Sequence, residues 1–489
     1  MLRRKAISAS FWSLADILIR QGLQFVVTLV LARLLTPDEF GAVALIGVFT
    51  GLATVFVDGG FSFALIQRQD ITPEDVASVF WLNLGMAALI FFGLVAVSEP
   101  VAVYLGISSG ERLVVVFSST IVINAAGAVQ MAMMTKALEF KSILRVTAFA
   151  TLLAGSVAIL AAVHGLGVWA LGLQTLVYAS ATTALLWIYS PWRPALVVRI
   201  SSLKRLFSFG SYMFLSAILD RANYGVQNLL IGKSFGIQSL GIYNRAEATQ
   251  NVPQSIVNGL LSRVLFPVFA KVADDQVRLR RGFGQAIRLA MLVNAPLMLG
   301  MLATAGDVVQ IVLGDQWSKA VPILQVLCIW GIIWPLHVIN LNVLSGLGHS
   351  KLFFKVEVIK KVVSVALLVA ASAVGLLWVA WAQVVMAVIA CAITMYLTNR
   401  LIGYRFTSQM RDILPPIAAA AMMAMLVYTV TPALNLSATV KLTILIGVGG
   451  ATYMLLCFGM RLTAMHEAME LVAPKLANAI WKDAPRLEK

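Results

Sequence analysis

Charged side chains are scarce in this sequence. Asp, Glu, Lys and Arg make up 12% of 489 residues, against ~25% in a soluble domain. That shortage excludes a soluble globular protein. Cysteine is nearly missing too. Cys328, Cys391 and Cys457 all lie in apolar runs, which excludes a disulfide framework or a cysteine metal site and reads as small core residues. His164, His337, His349 and His466 are scattered without ligand spacing. His337 stands within an apolar run and reads as a packed, hydrogen-bonded residue. There is no glycine-rich phosphate loop at a strand–helix junction, no metal-ligand cluster and no Ser/His/Asp set. An enzyme, a nucleotide-driven pump and a bound cofactor are therefore not expected. No cleavable signal peptide is visible, because the first apolar run is too long and lacks a small-residue cleavage site.

What is there is apolar length. Hydrophobic residues are 60% of the chain, and mean hydropathy is +0.89. A bilayer core of ~30 Å takes about 20 helical residues. The apolar runs predict an all-α, polytopic membrane protein of about fourteen spans: 11–35, 40–66, 77–98, 113–135, 143–163, 167–189, 206–231, 239–270, 284–305, 320–345, 356–374, 377–399, 413–431 and 438–460. The eighth holds Pro253 and Pro267, where a kink or break is expected. The longest outward loop, around Asp307–Lys319, is too short for a catalytic domain. The segment from about Thr463 reads as a short amphipathic helix or tail, with Pro474 and Pro485 as breakers.

Lys and Arg set the orientation. About 28 basic residues fall in one alternating set of segments, from Arg3, Arg4 and Lys5 through Lys136, Arg205, Arg288 and Lys361 to the C-terminal tail. The other set holds about five: Arg33, Arg112, Lys233, Lys319 and Lys441. The positive-inside rule puts the first set, and both termini, in the cytoplasm, with the chain in the inner (cytoplasmic) membrane. The net charge of +15 is then a topology signal touching anionic membrane lipids, and no nucleic-acid partner is expected.

A weak internal repeat runs through this pattern. At an offset of 201, Phe11 meets Tyr212 and Arg20 meets Arg221; at 200, Arg33 meets Lys233, Phe40 meets Leu240 and Gly41 meets Gly241. Two parallel six-helix lobes are a transporter plan. The expected division is an N-lobe over 1–200, a C-lobe over 201–402, and two added helices with a cytoplasmic tail over 403–489.

The intramembrane charges point to a site. Asp16 and Arg20 are four apart in the first span and share one helix face with Gln24. A charge at mid-membrane costs roughly 2.5–3.5 kcal/mol on insertion scales, so such a face turns to a protein interior or a watery cavity. Arg221, Arg245 and Arg263, with Asp58, Asp220 and Glu247, gather likewise on spans two, seven and eight. Span seven adds Asn223, Tyr224, Gln227 and Asn228; span eight adds Asn251, Gln254 and Asn258. Arginine suits phosphate through its bidentate, permanently charged fork, and Asn, Gln and Tyr suit sugar hydroxyls. Asp16, Arg20, Gln24, Arg221, Asn223, Arg245, Asn251 and Gln254 are the candidate substrate contacts. Asp58 and Glu247 are candidate proton or ion carriers, since burial favours the neutral carboxyl. Four arginines against four acids also allow plain structural salt bridges, and composition does not choose between the two.

The run Ala32-Arg33-Leu34-Leu35-Thr36-Pro37-Asp38-Glu39-Phe40-Gly41, then Asp58-Gly59-Gly60-Phe61, Ala64-Leu65-Ile66-Gln67-Arg68 and Val79-Phe80-Trp81-Leu82-Asn83, resembles the Wzx-type polysaccharide flippases of the multidrug/oligosaccharidyl-lipid/polysaccharide exporter superfamily. Asn228-Leu229-Leu230-Ile231-Gly232-Lys233, Leu240-Gly241-Ile242-Tyr243 and Arg263-Val264-Leu265-Phe266-Pro267 agree. The likeness covers most of residues 5–280 and is strongest to the colanic acid, teichuronic acid and exopolysaccharide branch. The family often has an acid before Asn-Leu-Leu-Ile-Gly; here it is Gln227, so no carboxylate role carries over. The resemblance implies fourteen helices in two lobes around a V-shaped cavity. It implies alternating access, and translocation of undecaprenyl-pyrophosphate-linked oligosaccharide for exopolysaccharide or lipopolysaccharide synthesis. Expected partners are that lipid-linked oligosaccharide, membrane lipids, and a polysaccharide polymerase and chain-length regulator. The alternatives are a drug or small-molecule antiporter, or a lipid II flippase, of the same superfamily.

Overall fold

The computed structural model describes residues 19–107, 110–271, 275–347, 350–434 and 436–472. Among them it is helical throughout, with no strand. In chain order the helices are α1 (residues 19–34), α2 (Pro37–Asp58), α3 (Phe61–Gln67), α4 (Pro73–Ala96), α5 (Ser98–Leu105) and α6 (Gly110–Lys136). Then come α7 (Phe140–Val163), α8 (Val168–Tyr189), α9 (Ile200–Phe235), α10 (Ile237–Lys271), α11 (Gln276–Ala303) and α12 (Ala305–Val312). Last are α13 (Ala320–Gly346), α14 (Ser350–Ser372), α15 (Leu376–Ile402), α16 (Phe406–Val430), α17 (Ala438–Gly459) and α18 (Thr463–Val472).

Fourteen of these match the fourteen expected spans. Ten are long and apolar enough to cross a membrane on length and composition alone. The other four are α1, described only from residue 19, and α9, α10 and α14, which carry charge along their length. The expected second span is two helices. Gly59 and Gly60 both take left-handed φ, 55° and 78°, and break it into α2 and α3. Of the kink or break expected at Pro253 and Pro267, the break does not occur, since α10 is one helix through both. The loop around Asp307, expected to face outward, folds into α12 and a 3-10 turn, Asp315–Trp317, with Trp317 fully buried.

Local sequence sets the helix starts. Glu39 accepts from the Thr36 backbone N–H at 2.6 Å, with Pro37 in the first turn. Asp75 does the same for Thr72 at 2.9 Å, with Pro73 behind it. Both are capping pairs that satisfy otherwise orphaned donors. Asp75 is buried and also receives Arg205 from the start of α9.

The chain forms two compact units. The first runs from the N-terminus to Arg245 and adds Glu357–Leu376 of α14. Its core includes Phe61, Leu65, Phe80, Val129 and Leu206. The second holds Ala246–Val356 and the chain from Leu377 onward. Its core packs α11 against α13 and α16, through Phe283, Ile287, Met291, Ile339 and Ile413. Many large apolar side chains stay outward, such as Leu89, Phe92, Leu160, Val388 and Met425, which suits a lipid-facing surface.

Inside the first unit the repeat has a physical counterpart. A methyl group on Gly41 would fall well inside 3.0 Å of the Ile237 carbonyl, and one on Gly241 would do so against Pro37. The offset of 200 carries 41 to 241 and 37 to 237. The two α-helix starts therefore cross backbone to backbone in a reciprocal contact, possible because both crossing points lack a Cβ.

Candidate functional site

The first unit gathers most of the expected polar residues on α9. Steps of three and four put Asp220, Asn223, Tyr224, Gln227 and Asn228 along one broad stripe. The opposite face is small: Gly225 and Gly232 sit against Val48 and Leu45 of α2. Close packing on α2 fixes which way the stripe turns.

Arg221 is exposed and lies along α2. A methyl on Gly51 would stand 3.3 Å from its guanidinium carbon, and Tyr224 presents its ring at 6.0 Å. Tyr224 in turn donates its hydroxyl to Asn244 Oδ1 at 3.4 Å. Arg245 is half-buried, with its guanidinium 4.5 Å from the centre of the Phe40 ring. Both arginines thus meet an aromatic face, a cation–π setting. Asn228 is fully buried, and neither side-chain polar atom has a protein partner among the described residues; the same holds for Asn223 Oδ1. Buried amides without partners are uncommon and cluster where function needs them.

Sequence reasoning foresaw α14 as a span but missed the ion pairs it carries. Lys360 and Lys361 were counted with the cytoplasmic basic segments, yet both sit within that helix. Lys361 pairs with Asp220 at 2.6 Å, and Lys360 with Glu357 at 2.6 Å in a buried pair. The available signal was Glu357 three residues before Lys360, an i,i+3 pair leading into an apolar run. These pairs change the charge count in the first unit. The acids Asp220 and Glu357 are each met by a lysine, and Arg221 forms no ion pair among the described residues.

The other expected residues are placed as follows. Arg20 is half-buried and Gln24 exposed on α1, both in the first unit; Asp16 lies outside the described residues. Asp58 ends α2, and its carboxylate accepts from the backbone N–H of Gly60 at 3.2 Å and Ser62 at 3.3 Å. It fastens the start of α3 by satisfying those backbone donors. Glu247, Asn251 and Gln254 fall in the second unit. Glu247 is half-buried and Asn251 exposed, whereas Gln254 is buried and accepts from Gln250, which also contacts Met298. Groups of three or more metal-ligating side chains are absent among the described residues.

This architecture meets a family model. The description is polysaccharide biosynthesis protein, and the match covers residues 30–322. The chain belongs to that family. Curated relatives extend the likeness. The chain is 28% identical over 464 residues to the teichuronic acid biosynthesis protein TuaB of Bacillus subtilis, covering 93% of this chain and 95% of the relative. It is 28% identical over 334 residues to the succinoglycan biosynthesis transport protein ExoT of Rhizobium meliloti, covering 68% and 67%. Among solved structures, the lipid II flippase MurJ in an inward closed conformation has a TM-score of 0.75 at 12% identity, covering 90% of this chain and 97% of that one. At that identity the likeness establishes the fold of this family member, a polytopic helical membrane protein, and no more.

Proposed function

We propose that this family member moves a lipid-linked oligosaccharide across the inner membrane by alternating access, with its phosphate or pyrophosphate held by intramembrane arginines. The observation that carries the reading is Arg221, exposed beside a stripe of amides on α9 while the neighbouring acids are occupied by lysines. An anion crossing a bilayer loses its water and needs charge-assisted donors in exchange. Arg221 and Arg245 supply planar forks, with Arg20 as a third donor. Asn223 and Gln24 offer amides to sugar hydroxyls, and the lipid tail stays in the bilayer.

Translocation requires no covalent step, so the protein is proposed as a carrier and not an enzyme. Without a nucleotide site, the drive is a gradient of ions or of the substrate itself. Glu247 is the proposed coupling carboxylate, since Asp58 is engaged at the start of α3. Gln254 is proposed to hold the second unit's packing through Gln250. The proposal keeps both termini in the cytoplasm, on the distribution of Lys and Arg. A polymerase and a chain-length regulator are the proposed downstream partners.

The test is transport of purified undecaprenyl-pyrophosphate-linked oligosaccharide into the inner leaflet of proteoliposomes. Arg221→Ala should slow it at least about tenfold, a loss of ~1.4 kcal/mol, and Arg221→Lys should recover part of it, since charge survives and the fork does not. Wild-type rates in both variants would remove the headgroup site. Transport of lipid II or of a cationic drug in place of the oligosaccharide would replace the substrate with that of an alternative in the superfamily.

A further inference from the structure

The second unit contains a cavity of about 590 Å³ that the headgroup reading does not use. Its walls come from α12, the 3-10 turn, α13, α16 and α17. We infer that this cavity is a subsite for an uncharged, hydroxyl-rich oligosaccharide on the outward face of the membrane. The outward placement rests on the topology proposed above, in which Lys319 and Lys441 belong to the sparse basic set.

Three features of the lining select that chemistry. First, Asp307 and Lys441 face each other at 3.0 Å, both largely buried. Each still has a polar atom to spare, since a carboxylate has two oxygens and an ammonium three hydrogens. A pair that is already neutral binds hydroxyls by donating and accepting at once, and it does not recruit a lone ion. Second, Gln310 and Gln325 add amides, and Asp315 adds a further carboxylate. Two acids against one base repel a phosphate, so the site is not a second headgroup cradle. Third, Tyr428 is mostly exposed at the cavity wall, an aromatic surface for the apolar C–H face of a sugar ring. The volume falls in the range of about 300–1,000 Å³ typical of small-ligand pockets, which suits a short oligosaccharide rather than an ion or a single water.

The arrangement gives α16 and α17 a task. They supply Tyr428 and Lys441, two of the eight polar residues of the lining. The physical consequence is a trans-side foothold for sugar that has already crossed.

The experiment uses the full chain in lipid nanodiscs, with saturation-transfer NMR as the readout. The probe is the soluble oligosaccharide released by mild acid from the host's own exopolysaccharide, with sodium pyrophosphate as competitor. Wild type should bind the oligosaccharide with millimolar affinity, and pyrophosphate should not displace it. Tyr428→Ala and Gln325→Ala should each weaken binding at least fivefold with unchanged thermal unfolding, whereas Arg221→Ala should leave it unchanged. No binding in wild type, binding indifferent to both cavity variants, or displacement by pyrophosphate would each overturn the subsite. Transport of the lipid-linked oligosaccharide by the same variants separates the sources. Slower transport in Gln325→Ala identifies the carried unit as occupant, and normal transport with lost binding identifies free glycan. Wild-type transport without oligosaccharide binding removes this subsite alone. Oligosaccharide binding without transport of any lipid-linked sugar removes the proposed function and leaves the subsite standing.

Discussion

Two arginines, Arg221 in the first unit and Arg288 in the second, show opposite uses of intramembrane charge. Arg288 of α11 is 16% exposed and reaches Asp412 of α16 at 2.8 Å, with Asp412 at 13% exposure. The same guanidinium also grips Glu467 of α18, 12% exposed. Tyr404 donates to Asp412 from the other side, and burial with that bond pushes its phenol well above the ordinary range. One fork satisfied by two carboxylates bolts three helices together and leaves no donor set for a ligand. Arg221 rests on Gly51 and near Tyr224, with its acidic neighbour Asp220 taken by Lys361. The same residue type is structural where carboxylates surround it and available where they are diverted.

The units also differ in what fixes their helices. The first relies on backbone contact at glycine, the second on an ionic bolt. The largest expected effect is therefore at Gly41 and Gly241. Alanine at either position forces a methyl into a backbone carbonyl, and we expect folded protein to vanish from membrane extracts in size-exclusion profiles. Gly22→Ala, with nothing within 4 Å of the added methyl, should express normally. Full expression of Gly241→Ala would break the first half of the comparison.

Next comes Arg288→Ala. It strands two largely buried carboxylates, a change that costs about 3–5 kcal/mol. The unfolding temperature in detergent should drop sharply, and Glu467→Gln should cost less because Asp412 still pairs. An unchanged temperature for Arg288→Ala would mean that apolar packing alone holds α18. Smaller still is Arg221→Ala, expected to move stability by within about 0.5 kcal/mol, as for other exposed positions, while transport collapses. A variant that loses both equally would place Arg221 in the same structural class as Arg288. Last comes Lys361→Ala, which is expected to leave transport intact. Asp220 is 64% exposed, so losing this pair should change stability by only about 0.2–1 kcal/mol in a double-mutant cycle with Asp220→Asn.

Much of this was legible from residues alone. Span boundaries followed from apolar length, and the amphipathic segment from Thr463 is α18. The break at Gly59–Gly60 was not foreseen, because an apolar run looks continuous whether or not two glycines turn left-handed inside it. Arg288, Lys360 and Lys361 were assigned to basic segments by sequence position, yet each lies within a helix and holds an acid: Asp412 and Glu467 for Arg288, Glu357 for Lys360 and Asp220 for Lys361. Glu467 escaped notice because pairing over 179 residues, as with Arg288, leaves no local trace, whereas Glu357 left one in its spacing to Lys360. Gln254, chosen for its helical spacing with Asn251, is instead buried on Gln250; spacing names a face but not what covers it.

By itself the sequence determined an all-helical membrane protein, the number of long helices and the residues that carry charge into them. Hydrophobic length and helical period are local, and a bilayer permits few backbones. The tertiary structure alone decided which charges cancel, because that depends on distances of a few ångströms between segments far apart in the chain.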